Sequence, residues 1–230
     1  MEAGDNPKLP LNQRDRIVLA EQVMHQSADP TDVSQGGYNT CNVSTIESAT
    51  YAKNPSEAAR LVTEVATTGT YTSNGKPRVT VEVPAGSLAK HGESKEQHEP
   101  GSNHRSHASQ IFAVTAINIH YAKENARTDP PGQIKYEQRE PGPDSGPNPD
   151  NGERLYNYAE KDPKTGRPPK EITEKIKDEN GKLVDAPVRA PKLSREEIAD
   201  IAKEINPQPR DGKHDGPVRI DFDPEAKITQ

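Results

Sequence analysis

The segment "SQGGYNTCNVSTIE" holds the single cysteine of the chain, Cys41, at the start of an apolar-periodic run that continues through Val43, Ile46 and Ala49. A thiol attacks as its thiolate, and a helix N-terminus favours the anion through unpaired backbone donors and the helix dipole. Acyl transfer also needs donors aimed at the developing oxyanion. The Cys41 backbone N–H is one such donor. Gln35, six residues upstream across a glycine turn, carries the nearest side-chain amide that could be another. The remaining requirement is a base. Among seven histidines, His214 in "DGKHDGPVRIDF" follows a glycine and precedes a strand-like run, while His107 and His120 flank the most apolar stretch of the chain.

The pattern Gln-Gly, four residues, Cys, then a helix resembles the opening of the active site in papain-like cysteine peptidases. The match spans about 17 of the 230 residues. The resemblance implies a Cys–His dyad acting on an amide bond, with Cys41 as nucleophile at a helix start, Gln35 as oxyanion donor and His214 as base at a strand start in a β-rich second half. His107 is the competing base, and His120 a third. It also implies a peptide or protein substrate and no cofactor. The chain departs from the family's pattern in lacking an aromatic residue soon after the cysteine. Asp221 and Asp223 do not stand at the separation from His214 expected of an orienting residue. The same departures suit an alternative, a catalytically inactive papain-like binding or regulatory module.

Composition limits how much chain can order around such a site. Hydrophobic residues make up 29% of the sequence, with 22 prolines, two Phe and no Trp. That supplies a core for ~100–140 residues. A net charge of −6, from 30 basic and 36 acidic residues mixed along the chain, argues against nucleic acid as a partner, since displacing counterions requires a basic surface. No run approaches a membrane span, no secretory leader is recognisable, and one cysteine excludes an intrachain disulfide. A cytoplasmic protein with no membrane partner and no metal is the expectation. His104 and His107 share a spacing seen among metal ligands, but their polar surroundings read as a solvated loop.

Patterning predicts an α+β fold in three parts: a helical half over 1–122, a Pro-rich linker or excursion over 123–170, and a hairpin, helix and terminal β-hairpin over 171–230. Ile17, Val18, Ala20, Val23 and Met24 form a helical stripe. Asn54, Pro55 and Glu57 mark a helix start, followed by Ala58, Leu61, Val62 and Val65 on one face. "RVTVEVP" alternates as a strand with Val79, Val81 and Val83 on one side. Residues 106–122 are apolar on too many sides for a surface helix and are expected at the centre of the fold. Asn180-Gly181 predicts a hairpin turn. Ser194 and Glu197 form a capping box before Ile198, Ile201 and Ile205.

Overall fold

A computed structural model of the chain describes residues 11–95, 104–142, 150–161 and 168–206. The centre is a 20-residue helix, α4 (His107–Ala126), whose first thirteen residues are all buried. Its N-cap is Ser106, which accepts from the Ser109 N–H at 2.9 Å. The Gln22 side chain accepts the Ala108 N–H at 3.0 Å, so two open donors of the first turn are satisfied inside the protein. Around α4 pack α1 (Gln13–Ala28), α2 (Cys41–Lys53), α3 (Pro55–Thr68) and α5 (Arg195–Ile205). The expected central helix over 106–122 is therefore present and one turn longer.

Three small antiparallel sheets complete the α+β architecture. β1 (Thr70–Thr72) pairs with β2 (Thr80–Glu82), placing Tyr71 opposite Val81 with both side chains in the core. β3 (Ile134–Gln138), β4 (Glu153–Asn157) and β5 (Lys170–Glu171) form the second sheet in that order. β6 (Thr173–Lys177) and β7 (Leu183–Pro187) form the third, closed by the predicted turn at Asn180-Gly181. Val81 and Val83 share a buried side as their alternation requires. The Ser194–Glu197 capping box is formed, and Ile198, Ile201 and Ile205 are buried beneath it. Among the described residues no helix is long and apolar enough to cross a membrane.

Two expectations need correction. The stripe on α1 holds only in part: Val23 is buried as expected, but Ile17 and Met24 are 54% and 64% exposed, and Leu19, Gln22 and Gln26 take the core side beside Val23. The helix turns its amides inward because the start of α4 offers them hydroxyl and N–H partners. The second correction concerns 123–170. Rather than bare linker, it contains the last turn of α4 and the β3–β4 pair. The expected terminal β-hairpin, beyond residue 206, lies outside the described residues.

Among the described residues no strand lies on the outer edge of β3, and α4 supplies partners there from side chains. Asn118 donates to Tyr136 O at 2.8 Å and accepts from Tyr136 N at 2.9 Å. Asn125 does the same with Ile134, at 2.8 and 2.9 Å. Ser87 Oγ accepts from Gln138 N at 3.0 Å. Successive edge residues of one strand are thus paired by two helix amides seven residues apart and one loop hydroxyl, answering the demand that buried backbone groups find partners. Asn118→Ala should orphan both backbone groups of Tyr136 and cost about 3 kcal/mol in urea unfolding; a loss under ~1 kcal/mol would show that water replaces the amide.

His107, expected in a solvated segment, is fully buried at the first position of α4 and donates from Nε2 to Leu88 O at 2.8 Å. Burial holds it neutral, pushing its pKa from 6.5 down to about 4. A depressed imidazole contributes stability that is present above 6.5 and lost as pH falls through about 4. The gap in unfolding free energy between wild type and His107→Gln should accordingly close or reverse between pH 7 and pH 4. A gap constant with pH would mean that His107 titrates in the folded protein as it does in the unfolded chain.

Candidate functional site

Cys41 is the first residue of α2 and its thiol is exposed. Thr40, the N-cap residue, makes no side-chain cap bond. The N–H groups of Val43 and Ser44 both turn back to Thr40 O at 2.9 Å, and those of Cys41 and Asn42 have no partner among the described residues. Cys41 Sγ lies 3.7 Å from Asn42 Oδ1. The thiol therefore stands at the surface beside uncapped backbone donors, the placement that its sequence context led us to expect.

The turn before it is pinned from within. Gly36 adopts φ +60°, and a Cβ there would fall 2.8 Å from Glu93 Oε2 and 3.0 Å from Arg105 Cβ. Only glycine meets both demands, which gives the Gln-Gly pair a local reason to exist. Tyr38 is buried with its ring 4.6 Å from the Arg105 guanidinium carbon, and burial pushes its phenol up to about 12. Asn39 N donates to Glu153 Oε2 at 2.9 Å, and Asn39 Nδ2 to Arg189 O at 3.2 Å.

Behind this turn lies a dry polar layer. Arg105 is fully buried and donates to Gln138 Oε1 at 2.8 Å and to Ser109 O at 3.3 Å. Desolvation lowers its pKa, opposed by nearby carboxylates and tyrosines. Glu153 has no exposure and takes donors from Tyr136 Oη at 2.6 Å, the Asn39 backbone and the Asn151 amide. Burial raises its carboxyl, with those bonds pulling the other way. Gly152, at φ +86° with room for no Cβ beside Arg139 O, sets the turn that delivers Glu153.

Gln35 is half-buried in the turn leading to Cys41. His214, Asp221 and Asp223 lie outside the described residues, as does His98. None of the five described histidines bonds to Cys41. His107 is occupied with Leu88 O, His120 faces Glu197 at 3.6 Å, and His91 Nε2 meets Gly86 O at 2.6 Å. His25 pairs with Asp32 at 2.8 Å. The layer of Arg105, Glu47 and Glu153 was not anticipated from sequence. Glu47 had a visible signal, since Val43, Ile46, Glu47 and Thr50 share the buried side of α2 at helical spacing.

Comparison with protein-family models, with curated proteins and with solved structures finds no match to this chain.

The pinned turn makes a sharp expectation. Gly36→Ala should lower unfolding free energy by about 2 kcal/mol, from its left-handed backbone and the crowding against Arg105. Gly86→Ala, whose Cβ would meet open space, should stay within ~0.5 kcal/mol. Equal effects at the two positions would remove the case that the Cys41 turn is held by this contact.

Proposed function

We propose that the protein is a thiol hydrolase of the cysteine peptidase type, acting on an amide bond through Cys41. What carries this reading is the exposed thiol at the first position of an α-helix whose cap leaves the Cys41 and Asn42 N–H groups open. The thiolate attacks the substrate carbonyl, and the resulting oxyanion accepts from the Cys41 N–H and from the Gln35 amide. His214 takes the thiol proton and returns it to the leaving amine. Water then releases the acyl group from sulfur through the same base. The resemblance of "QGGYNTC" to the papain-like pattern supports these roles, and the buried anchors on Tyr38 and Asn39 supply the rigidity that positioning demands.

A second reading, a papain-like binding or regulatory module without catalysis, is favoured by one observation. No described histidine touches the thiol, and the competing base His107 is sealed in the core. The dyad therefore rests on His214 alone.

The deciding experiment uses a peptidyl chloromethyl ketone with the full chain. Labelling should fall on Cys41, vanish in Cys41→Ser, and slow by ~10²–10⁴-fold in His214→Ala, the range expected on losing a general base. Fluorogenic peptide amides should be cleaved by the wild type only. Labelling of Cys41 at equal rates in wild type and His214→Ala, with no cleavage, overturns the enzyme and leaves the binding module.

A further inference from the structure

Three charged side chains with almost no exposure meet where α2, the entry to α4 and β4 come together: Glu47, Arg105 and Glu153. Other buried carboxylates keep a cation each, Glu57 with Arg60, Glu137 with Arg139 and Glu204 with Lys123. Among the described residues it is Arg105 that acts on both Glu47 and Glu153. One cation and two carboxylates would leave a net negative charge in a dry layer, which is costly without a proton to cancel it.

Hydrogen bonding decides where that proton sits. Glu153 receives three donors, from Tyr136, the Asn39 backbone and Asn151, which favour its charged form against the burial that raises it. Glu47 receives one, from Ser109 Oγ at 2.7 Å, and its Oε2 has no partner among the described residues. Gln26 Nε2 donates to the same Ser109 Oγ at 2.7 Å, and Gln26 Oε1 is likewise without a donor. With one donor on it against three on Glu153, Glu47 is the carboxyl of the pair that burial most favours in the neutral, protonated form.

We propose that Glu47 is a pH-sensitive lock: its protonated carboxyl holds α2, the helix that begins with Cys41, against α1 and α4, and loss of that proton as pH rises loosens the helix. The charged and titratable groups around it are Arg105, from the segment entering α4, and Tyr51 on α2 itself. From α4 it meets the Ser109 hydroxyl, which in turn takes a bond from the Gln26 amide of α1. Among the described residues no charged group of α3, α5 or the Pro30–Asp32 turn acts on it. Burial pushes the Glu47 carboxyl from 4.5 up to about 7, against the Ser109 bond and Arg105. A raised carboxyl contributes stability that is complete below 4.5 and lost as pH climbs through about 7.

The test is hydrogen exchange of the α2 amides in the full chain, wild type against Glu47→Gln, at matched pH so that intrinsic rates cancel. The ratio of wild-type to variant exchange should rise about tenfold per pH unit between the ordinary carboxylate range and neutrality, then level. A ratio that does not change with pH overturns the lock. Carbon-13 spectra of the glutamate carboxyls of the wild type give a second readout, independent of whether Glu47→Gln folds. The Glu47 resonance should titrate near neutral pH, and titration in the ordinary carboxylate range overturns the proposal. Neither readout involves cleavage or Cys41 alkylation, so failure of the thiol chemistry leaves both arms standing, and the converse holds.

Discussion

A helix buried on every side must find a partner for each polar group it carries, and most of this fold follows from how α4 does so. Gln110 reaches into the 85–95 loop, donating to Ser87 O and Ala89 O and accepting from His91 N and Ser94 Oγ. Ser109 ties in α1 through Gln26 and α2 through Glu47. Asn118 and Asn125 hold the edge of β3. Thr115 alone is answered within the helix, at Ile111 O. An apolar helix of the same length would be held by area alone and could rotate among near-equivalent packings. Here Ser109, Gln110, Asn118 and Asn125 fix their neighbours in one register, which gives specificity to a chain with few large apolar residues.

The far end of the molecule repeats the principle on a smaller scale. Glu204 of α5 is buried yet accepts from Ser73 Oγ and Lys123 Nζ, while its carbonyl takes the Asn74 N–H. Asn206 then donates to Thr50 Oγ1 on α2. The residues that follow β1 and the helices α2, α4 and α5 are thereby joined across more than 130 positions of sequence. Such bonds add modestly to stability when made, but leaving any one partner alone in the core is expensive. The network is consequently more specific than it is strong.

Much of the fold was legible because local signals and burial agreed. Pro55 at the head of α3, the Ser194 capping box, the Asn180-Gly181 turn and the valines at 81 and 83 each point to one local structure, and nothing tertiary opposes them. On α1 only Val23 of the expected stripe is buried, because an apolar stripe is only a prior and paired amides can take the core side. β3 and β4 were hidden for a different reason. Their stretch is rich in proline and polar residues, and the outer edge of β3 is completed by side chains some ten to twenty positions earlier on α4, a pairing that no periodicity records. At the site, the position of Cys41 was legible from its turn and the run after it. Arg105 was not, since a basic residue before a helix ordinarily reads as solvated surface. Its burial follows from the ring of Tyr38 and the amide of Gln138, both distant in sequence.

The geometry of α2 joins the two halves of this picture. Its first residue is an exposed thiol, and two turns further in the same helix has Glu47, Thr50 and Tyr51 in the core. Thr50 answers its own hydroxyl at Ile46 O and then receives Asn206, so this end is held by ordinary bonds. Glu47 is held by one bond, within the field of Arg105, which also supports the turn ahead of Cys41 through Tyr38. The same guanidinium thus underlies both the approach to the thiol and the carboxyl beneath its helix. A change of charge at Glu47 is felt first at Arg105, and Arg105 has no solvent through which to dissipate it.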